Sequence, residues 1–414
     1  MRVRDPVPQA GLRAGVPLLV TGVIVLAVNL RASITGLPPV FPELQSAMHV
    51  SPSTLALLAA MPVLCFGVFS GAGAPLSRQF GEERVLGLAL LLLAVGLLLR
   101  SLSPSVLLFP GTILAGAAIA LMNVLLPSLV KRRTPERAGV LVGLYLLMLT
   151  AGAVVASLIA VPIFNAASAG QAGGSAAVRL SLGLWAGPAL LAAVLWVPQL
   201  RYRTGPEEAP RAGASSRRGA LSMGRSRLAW HVTLFMGLQS LTYYATLSWF
   251  PTMFRDRGIS AVHAGDLLAL MNLGNAATAL LVPVIAHRLA DQRWLAAVAN
   301  IATVAGLAGA IFGPASAVVP VILLLGLGQG ATLGLGIFYT MARAPDPVTA
   351  ASLSAFAQGI GYLIASTGPL VVGFLHDSTG GWTVPGLVLL FIGALQLVSG
   401  WLGGRDMTVP GPDT

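Results

Sequence analysis

Twelve long apolar runs, separated by short polar segments, dominate this sequence of 414 residues. An α-helix needs about 20 apolar residues to cross the hydrocarbon core of a bilayer, whereas a spanning β-strand needs only ~10 residues of alternating polarity. The runs are too long and too uniformly apolar for strands. We therefore predict an all-α integral membrane protein with twelve transmembrane helices. The predicted spans are 15–38, 53–76, 84–102, 105–130, 138–164, 178–199, 229–252, 263–287, 293–313, 316–341, 349–375 and 383–403.

The charge content excludes a soluble protein. Only 9% of the residues are Asp, Glu, Lys or Arg, whereas soluble globular domains carry roughly 25%. The single cysteine, Cys65, lies inside a predicted span, so no intramolecular disulfide can form. The sequence also contains no metal-binding motif, and we expect no metal and no other cofactor.

The positions of the 25 Lys and Arg residues predict the orientation in the membrane. If the N-terminus is cytoplasmic, twenty of them fall in cytoplasmic segments, four in outer loops, and Arg31 within a span. Positive residues favour the cytoplasmic side, so we predict that both termini are cytoplasmic, in a bacterial-type inner membrane. These cations then face anionic lipid, and no nucleic-acid partner is needed to explain the net charge of +11.

The first apolar run follows Arg2, Arg4 and Arg13, as in the positively charged start of a signal peptide. The run is long enough to span a membrane, and it carries no convincing small-residue cleavage site. We predict that it is retained as the first helix.

Residues 201–228 separate the sixth and seventh predicted spans. They are rich in Pro, Gly, Ser and Arg, a composition typical of a flexible, solvated linker. We therefore divide the chain into a six-helix half at 1–200, a cytoplasmic linker at 201–228 and a second six-helix half at 229–414.

The two halves resemble each other at an offset of about 210 residues. The second span ends in GAPLSRQFGEER (73–84) and the eighth in PVIAHRLADQRW (283–294), while VFPEL (40–44) parallels WFPTM (249–253). Related halves of this kind are the architecture of secondary transporters, whose substrate site lies between the halves near the bilayer midplane. The repeat therefore predicts a central site for a small molecule.

Arg31 lies inside the first predicted span. A guanidinium stays charged at ordinary pH, and at the bilayer centre it costs at least ~2.5–3.5 kcal/mol. Three interpretations are open: a cation that faces a cavity and binds substrate, a structural Arg paired with carbonyl groups or another helix, or a side chain that reaches the outer interface. No Asp or Glu lies mid-span. Because Arg31 has no acidic partner within the spans, a mobile anion is favoured as its substrate. A single cation favours a substrate with one negative charge.

Other polar side chains within the spans are candidates to line the same cavity. Asn29 and Ser33 are four residues apart, as are Arg31 and Thr35, so each pair lies close along a helix. For the amides, an interhelical hydrogen bond is the structural alternative. The remaining candidates are Asn123, Tyr145, Gln239, Tyr243, Tyr244, Asn272, Asn275, Tyr339, Gln358 and Tyr362.

Several motifs resemble those of the major facilitator superfamily. The segment 73–84 looks like the signature between its second and third helices, although Ser77 stands where that family usually has Asp. The closer resemblance is to the cyanate porter branch, and it covers essentially the whole chain. It rests on NLR (29–31), LPSLVKRR (126–133), LLALMNLGNAATALLVPVIAHR (267–288) and FAQGIGYLIA (356–365).

This resemblance implies the twelve-helix fold of the superfamily and transport of small molecules, cyanate and 2-nitroimidazole among them. It also implies a cavity lined mainly by spans 1, 4, 7 and 10, with Asn29, Arg31, Asn275 and Gln358 ranked highest. We expect a monomer in the bilayer, without enzymatic activity. The alternatives are multidrug or organic-anion efflux by the same fold and, from other classes, a channel or a membrane-embedded enzyme.

The repeat also places opposite charges at equivalent positions in the two halves. Arg78 ends the second span and Glu136 follows the fourth, while Arg288 ends the eighth span and Asp346 follows the tenth. The superfamily resemblance implies that such groups meet on the cytoplasmic face. We predict Arg78–Glu136 and Arg288–Asp346 ion pairs when that face is closed, with solvated loop charges as the alternative.

Overall fold

The computed structural model describes residues 16–169, 173–201 and 222–410. The described residues form α-helices joined by turns and short 3-10 helices, and they include no β-strand. The first arginines of the chain and most of the predicted linker lie outside the described residues.

The first half of the chain folds into helices that begin where the apolar runs begin. Ser51 caps one of them, because its hydroxyl accepts a hydrogen bond from the Thr54 N–H at 3.2 Å. The helices are α1 (Val16–Thr35), α2 (Phe41–Met48), α3 (Pro52–Phe69), α4 (Gly73–Phe80), α5 (Glu82–Leu102), α6 (Pro104–Arg133), α7 (Ala138–Ala169), α8 (Gly173–Gly183) and α9 (Ala186–Trp196).

The second half repeats this organisation with longer uninterrupted helices. Ser226, Ser260 and Asp346 cap three of them, each by accepting a hydrogen bond from a backbone N–H of the first turn. The helices are α10 (Arg227–Asp256), α11 (Ala261–Ala286), α12 (Arg293–Phe312), α13 (Val318–Ala342), α14 (Pro347–Thr379) and α15 (Thr383–Gly403).

Eleven helical segments of the described chain are long and apolar enough to cross a membrane. The predicted span 229–252 forms most of α10 but is not among them, because α10 carries many polar side chains. All residues from Gln239 to Phe254 are buried. The polar side chains of α10 therefore face other helices rather than lipid.

The helices alternate in direction, so the bundle has two ends. We call the one that contains Glu43, Arg255 and Asp377 the Glu43 end, and the one that contains Arg78 and Arg343 the Arg78 end. At the Glu43 end, the Arg255 guanidinium binds the Glu43 carboxylate at 2.7 Å, and the Ser53 hydroxyl donates to Asp377 at 2.5 Å. Both contacts join the first half to the second, so the structure is closed at the Glu43 end.

The sequence repeat is also a structural repeat at the Arg78 end. Arg133 donates to the Glu83 carboxylate at 3.4 Å, which ties the end of α6 to the start of α5. Arg343 lies 210 residues after Arg133. It donates to the side chain of Gln292, the residue directly before α12. Each half thus uses an Arg at the same position to hold its own helices together.

The predicted gate residues do not form the two predicted ion pairs in this structure. Arg78, Glu136, Arg288 and Asp346 are all described, and each is partly or fully exposed. Next to Arg288, a cavity of about 860 Å³ lies at the Arg78 end between α11 and α13. The Arg78–Glu136 and Arg288–Asp346 ion pairs were predicted for a conformation in which this end is closed. They therefore stay a prediction.

Asp346 has a structural role that the sequence analysis did not assign. Its carboxylate accepts hydrogen bonds from the Thr349 hydroxyl at 2.6 Å and from the N–H groups of Thr349 and Val348, each at 2.9 Å. These hydrogen bonds hold the pKa of the Asp346 carboxyl below its ordinary value, and the bond from the Thr349 hydroxyl has the largest effect. Asp346 is therefore an ionised cap of α14.

Glycines permit close contacts between helices in the first half. A Cβ atom at Gly111 would lie 2.5 Å from the carbonyl oxygen of Gly96 and 2.8 Å from the backbone N of Arg100. Helices α5 and α6 therefore pack backbone against backbone at this point.

Gly111→Val should destabilise the protein by about 1–3 kcal/mol, because the backbone of a neighbouring helix cannot move aside for the added atoms. Gly143→Val is the matched control, since no atom lies within 4 Å of a Cβ at Gly143. The measurement is thermal unfolding in detergent. Equal melting temperatures for the two variants would contradict this account of the α5–α6 contact.

Candidate functional site

Arg31 lies near the middle of the bundle. Helices α1 and α2 together form one membrane-spanning segment, Leu19–Met48, and Arg31 is close to its centre. Arg31 is partly exposed, whereas every residue from Ala32 to Phe41 is buried. Arg31 therefore presents accessible surface, whereas residues 32–41, toward the Glu43 end, are packed against other residues.

The guanidinium of Arg31 faces tyrosines, chiefly of the second half. Its Nη1 donates to the Tyr243 hydroxyl at 3.4 Å, and its Cζ lies 5.5 Å from the Tyr243 ring centroid and 5.9 Å from that of Tyr244. Tyr145 and Tyr362 are also close enough to interact with it electrostatically. We call Arg31 and these four residues the Arg31 cluster. Its cation is held against aromatic faces, which attract positive charge.

Two asparagines orient hydroxyl groups of the cluster. The Tyr243 hydroxyl donates to Asn272 Oδ1 at 2.8 Å, and the Asn272 amide in turn donates to the Leu268 carbonyl at 2.9 Å. The Tyr145 hydroxyl donates to Asn123 Oδ1 at 3.0 Å. Tyr243 therefore has an oxygen lone pair free for Arg31, because its proton is used toward Asn272.

The hydrogen-bond donors of Arg31 are mostly unfilled. A guanidinium has five N–H donors, and within the described chain Arg31 makes the single hydrogen bond to Tyr243. Two other buried arginines differ. Arg100 donates to the carbonyl groups of Leu182 and Ser33 at 3.0 and 3.4 Å, and Arg343 donates to two carbonyl groups, each at 3.0 Å, as well as to Gln292. Arg100 and Arg343 are structural, and Arg31 lacks their kind of partner.

Asn29 lies on the opposite side of α1 from Arg31. Gly22, Asn29 and Gly36 are spaced by seven residues, about two helical turns, so they share a face. A Cβ at Gly22 would touch Trp196, and one at Gly36 would touch the side chain of Trp185. Asn29 thus faces the first half's own helices. Its amide donates to the Val25 carbonyl, and its buried Oδ1 has no partner among the described residues.

Ser33 and Thr35 are turned toward their own backbone. The Ser33 hydroxyl donates to the Asn29 carbonyl at 3.0 Å, and the Thr35 hydroxyl donates to the Arg31 carbonyl at 2.9 Å. Thr35 is fully buried and lies against the Ala153 carbonyl of α7. These hydroxyls cap local carbonyl groups and do not reach the accessible space at Arg31.

Four further candidates make no described contact with Arg31. Gln239 donates to the neighbouring Ser240 hydroxyl at 2.6 Å, and Gln358 donates to Ser354 within its own helix at 2.8 Å. Tyr339 is buried and its hydroxyl donates to a carbonyl of α15. Asn275 is half-buried, without a described side-chain hydrogen bond. Contact of Asn29, Thr35, Gln239, Asn275 and Gln358 with a substrate stays a prediction.

The structure adds a residue and a buried hydrogen bond that the sequence analysis did not single out. The Phe66 ring lies 5.6 Å from that of Tyr362 and extends the aromatic surface of the cluster into the first half. Gln329 of α13 donates to the Thr246 hydroxyl at 3.0 Å, and its Oε1 is buried without a partner in the described chain. The only sequence signal for Gln329 was a lone amide between glycines.

The positive charge of Arg31 has no carboxylate beside it in the described chain. Every described carboxylate lies in the first or last two turns of a helix or outside the helices, far from the middle of the bundle. The described residues also contain no group of three His, Cys, Asp or Glu that could hold a metal ion. A guanidinium with free donors beside aromatic rings has the chemistry to bind an anion.

Comparison with known proteins gives a consistent result. The sequence profile of the Major Facilitator Superfamily matches residues 23–366. The 2-nitroimidazole transporter of Escherichia coli (strain K12) is 38% identical over 394 residues, which cover 95% of this chain and 96% of the relative. The cyanate transport protein CynX of the same organism is 32% identical over 363 residues, with 87% and 90% covered.

Among solved structures, a bacterial homolog to the human lysosomal transporter Spinster, in an inward-facing and unoccupied conformation, aligns with a TM-score of 0.78. The alignment covers 95% of this chain and 98% of that chain at 16% identity. This likeness shows the fold alone.

Tyr243→Phe should lower stability by about 1–3 kcal/mol, because it leaves the buried Asn272 Oδ1 without its donor. Tyr244→Phe is the matched control, since the Tyr244 hydroxyl makes no described hydrogen bond although its ring also faces Arg31. Thermal unfolding of the purified variants measures the difference. If Tyr244→Phe destabilises the protein as much as Tyr243→Phe, the hydrogen bond from the Tyr243 hydroxyl to Asn272 makes no special contribution to stability.

Proposed function

This chain belongs to the Major Facilitator Superfamily, as its motifs predicted, and on that premise we propose a substrate and a site. The protein moves a small anionic or polar compound across the membrane by alternating access, as a secondary active or facilitative transporter. Arg31 is the central substrate-binding cation. The rest of the site consists of Tyr243, Tyr244, Tyr145 and Tyr362.

One observation supports this proposal above the others: Arg31 is charged, central and partly exposed, and it makes one hydrogen bond in the described chain. Polar groups at membrane depth are costly and mark substrate pathways. Unfilled guanidinium donors are suited to carboxylate-like or other planar anions, because the fork of N–H groups gives two parallel hydrogen bonds.

The aromatic surroundings favour a planar substrate with a single charge. Tyr243 and Tyr244 flank the guanidinium, and Phe66 extends the aromatic surface beside Tyr362. Aromatic rings stack on flat partners, and one cation neutralises one negative charge. Ionised 2-nitroimidazole is a planar monoanion, and cyanate is a small linear ion that matches the single charge. Two relatives are named for cyanate and 2-nitroimidazole.

We also propose the orientation and the moving parts. The excess of Lys and Arg at the Arg78 end supports a cytoplasmic location of that end in the inner membrane. The half at 1–200 and the half at 229–414 rock against each other around Arg31, joined by the linker at 201–228. A monomer is sufficient, because residues of both halves of one chain form the Arg31 cluster.

Arg31→Ala should weaken binding of cyanate or ionised 2-nitroimidazole by tenfold to a hundredfold or more, since hydrogen bonds to a charged group contribute about 1.5–3 kcal/mol each. Arg31→Lys should recover little, because an ammonium lacks the planar fork. Isothermal titration calorimetry on purified protein measures the affinities. The matched control is Arg405→Ala, at an exposed position outside the helices.

Binding should also follow the anionic fraction of the ligand as the pH is varied. Wild-type affinity in Arg31→Ala, or tight binding of a neutral sugar without a response to pH, would contradict the assignment of Arg31.

We propose that Arg78–Glu136 and Arg288–Asp346 pair when the cytoplasmic end closes. Asp346→Asn should then favour the inward-open state by up to about fivefold, since exposed ion pairs contribute ~0–1 kcal/mol. Asn also caps helices well, so this variant removes the charge and keeps the cap. The measurement is the accessibility of engineered cytoplasmic cysteines after Cys65 is replaced.

Glu136→Gln serves as the equivalent variant in the first half, and a charge swap at each pair should restore the wild-type accessibility. Unchanged accessibility in both neutral variants, with no effect of the swaps, would show that these charges are merely solvated.

A further inference from the structure

The charge of Arg31 has no fixed counter-charge in the middle of the described bundle. The described carboxylates and histidines all lie near helix ends or outside the helices. At the Glu43 end, the Glu43 carboxylate is already paired with Arg255. The groups that do face Arg31 are neutral: the Tyr243 hydroxyl and the two ring faces at 5.5 and 5.9 Å.

Alternating access moves this charge through a conformation that is closed at both ends. In the present structure Arg31 is partly exposed, so water in the accessible space can solvate its unfilled donors. A conformation that is closed at both ends removes that water. Ring faces attract a cation, but they leave four of the five N–H donors unfilled, and an unpaired buried charge is strongly disfavoured.

A bound monoanion changes this balance. It supplies one negative charge and accepts hydrogen bonds from the free donors, so the loaded site is neutral and its donors are filled. The empty and loaded proteins therefore differ in their ability to pass through the closed conformation. Loading lowers the barrier in both directions.

From this difference we infer that the protein is an obligate anion exchanger: it reorients readily only when Arg31 holds a monoanion, so one anion leaves for each that enters. This inference rests on the proposed function, because it requires that Arg31 binds the substrate. It adds that transport is one-for-one and electroneutral, since the same charge crosses in each direction. No proton needs to be carried.

The test uses the full chain reconstituted in liposomes, with labelled cyanate and labelled 2-nitroimidazole as probes. Vesicles contain either the same unlabelled anion or the impermeant anion gluconate. Uptake should be faster by about tenfold or more with the unlabelled anion inside, since desolvating an unpaired charge is costly. It should not respond to a membrane potential imposed with a potassium ionophore.

Equal uptake into both kinds of vesicle would overturn exchange and leave the proposed function intact. Uptake into gluconate vesicles that rises with a proton gradient would also overturn it, in favour of proton coupling. Absence of uptake in every vesicle, with both probes, would contradict the proposed function itself, and the inference would fall with it.

Asn272→Asp tests the physical cause. The Asn272 oxygen lies 2.8 Å from the Tyr243 hydroxyl that binds Arg31, so a carboxylate there gives Arg31 a fixed counter-charge. The exchange ratio is the rate of uptake into vesicles that contain the unlabelled anion, divided by the rate into gluconate vesicles. In this variant the ratio should fall toward one, and the affinity for the anion should fall as well. An unchanged ratio in a folded variant would contradict the counter-charge explanation.

Asn300→Asp is the matched control for this variant. Asn300 is also buried and also donates its amide to a main-chain carbonyl, at 2.9 Å, but it lies on α12 beside α15. The substitution makes the same chemical change without a described contact to the Arg31 cluster. Its exchange ratio should match that of the wild type, and a ratio near one would contradict the specific role of Asn272.

Discussion

A guanidinium in the middle of a membrane protein has to be solvated or paired in every conformation that the protein visits. The arrangement around Arg31 follows from this constraint. Tyr243 gives it one hydrogen bond across the two halves, and aromatic faces cover part of its surface. The remaining donors have no partner in the described chain. This is the basis of the proposed anion site.

Two fully buried arginines, Arg100 and Arg343, show how the same protein stabilises a charge with groups of its own chain. Arg100 is directed at carbonyl groups of the first half, and Arg343 at those of the second. Their partners lie within one half of the chain. The Arg31 hydrogen bond and the Arg255–Glu43 ion pair cross between halves. Under the proposed alternating access, the contacts between halves change in each cycle and those within a half persist.

Much of the fold could be predicted because the membrane imposes a simple rule on composition. A spanning helix must be apolar over about 20 residues, and the eleven recognised segments coincide with predicted spans. The exception is α10, which is polar because it is buried along Gln239–Phe254. The run 229–252 was still apolar enough, read against the polar segments around it, to be predicted as a span.

The site was predictable only in part, because a sequence gives the position of a side chain around its own helix and not the neighbour that it meets. Asn29 and Arg31 are two residues apart, so they are about 200° apart around an α-helix. That angle excludes a shared face, but it does not say which face is turned toward the second half. The close approach of Gly22 to Trp196 and of Gly36 to Trp185 shows that the Asn29 face is turned toward the first half, so Arg31 is turned toward the second.

The sequence by itself determined the membrane-spanning class, the internal repeat, the family and the presence of one central cation without an acidic partner. These properties depend on composition and spacing along the chain. The tertiary structure decided which polar groups meet that cation. It placed Tyr243 and Tyr244 against Arg31, with Asn272 bound to the Tyr243 hydroxyl, and it turned Asn29 and Thr35 away. The physical reason is that the rotation of each helix is fixed by close packing against its neighbours, which involves residues more than a hundred positions apart in the chain.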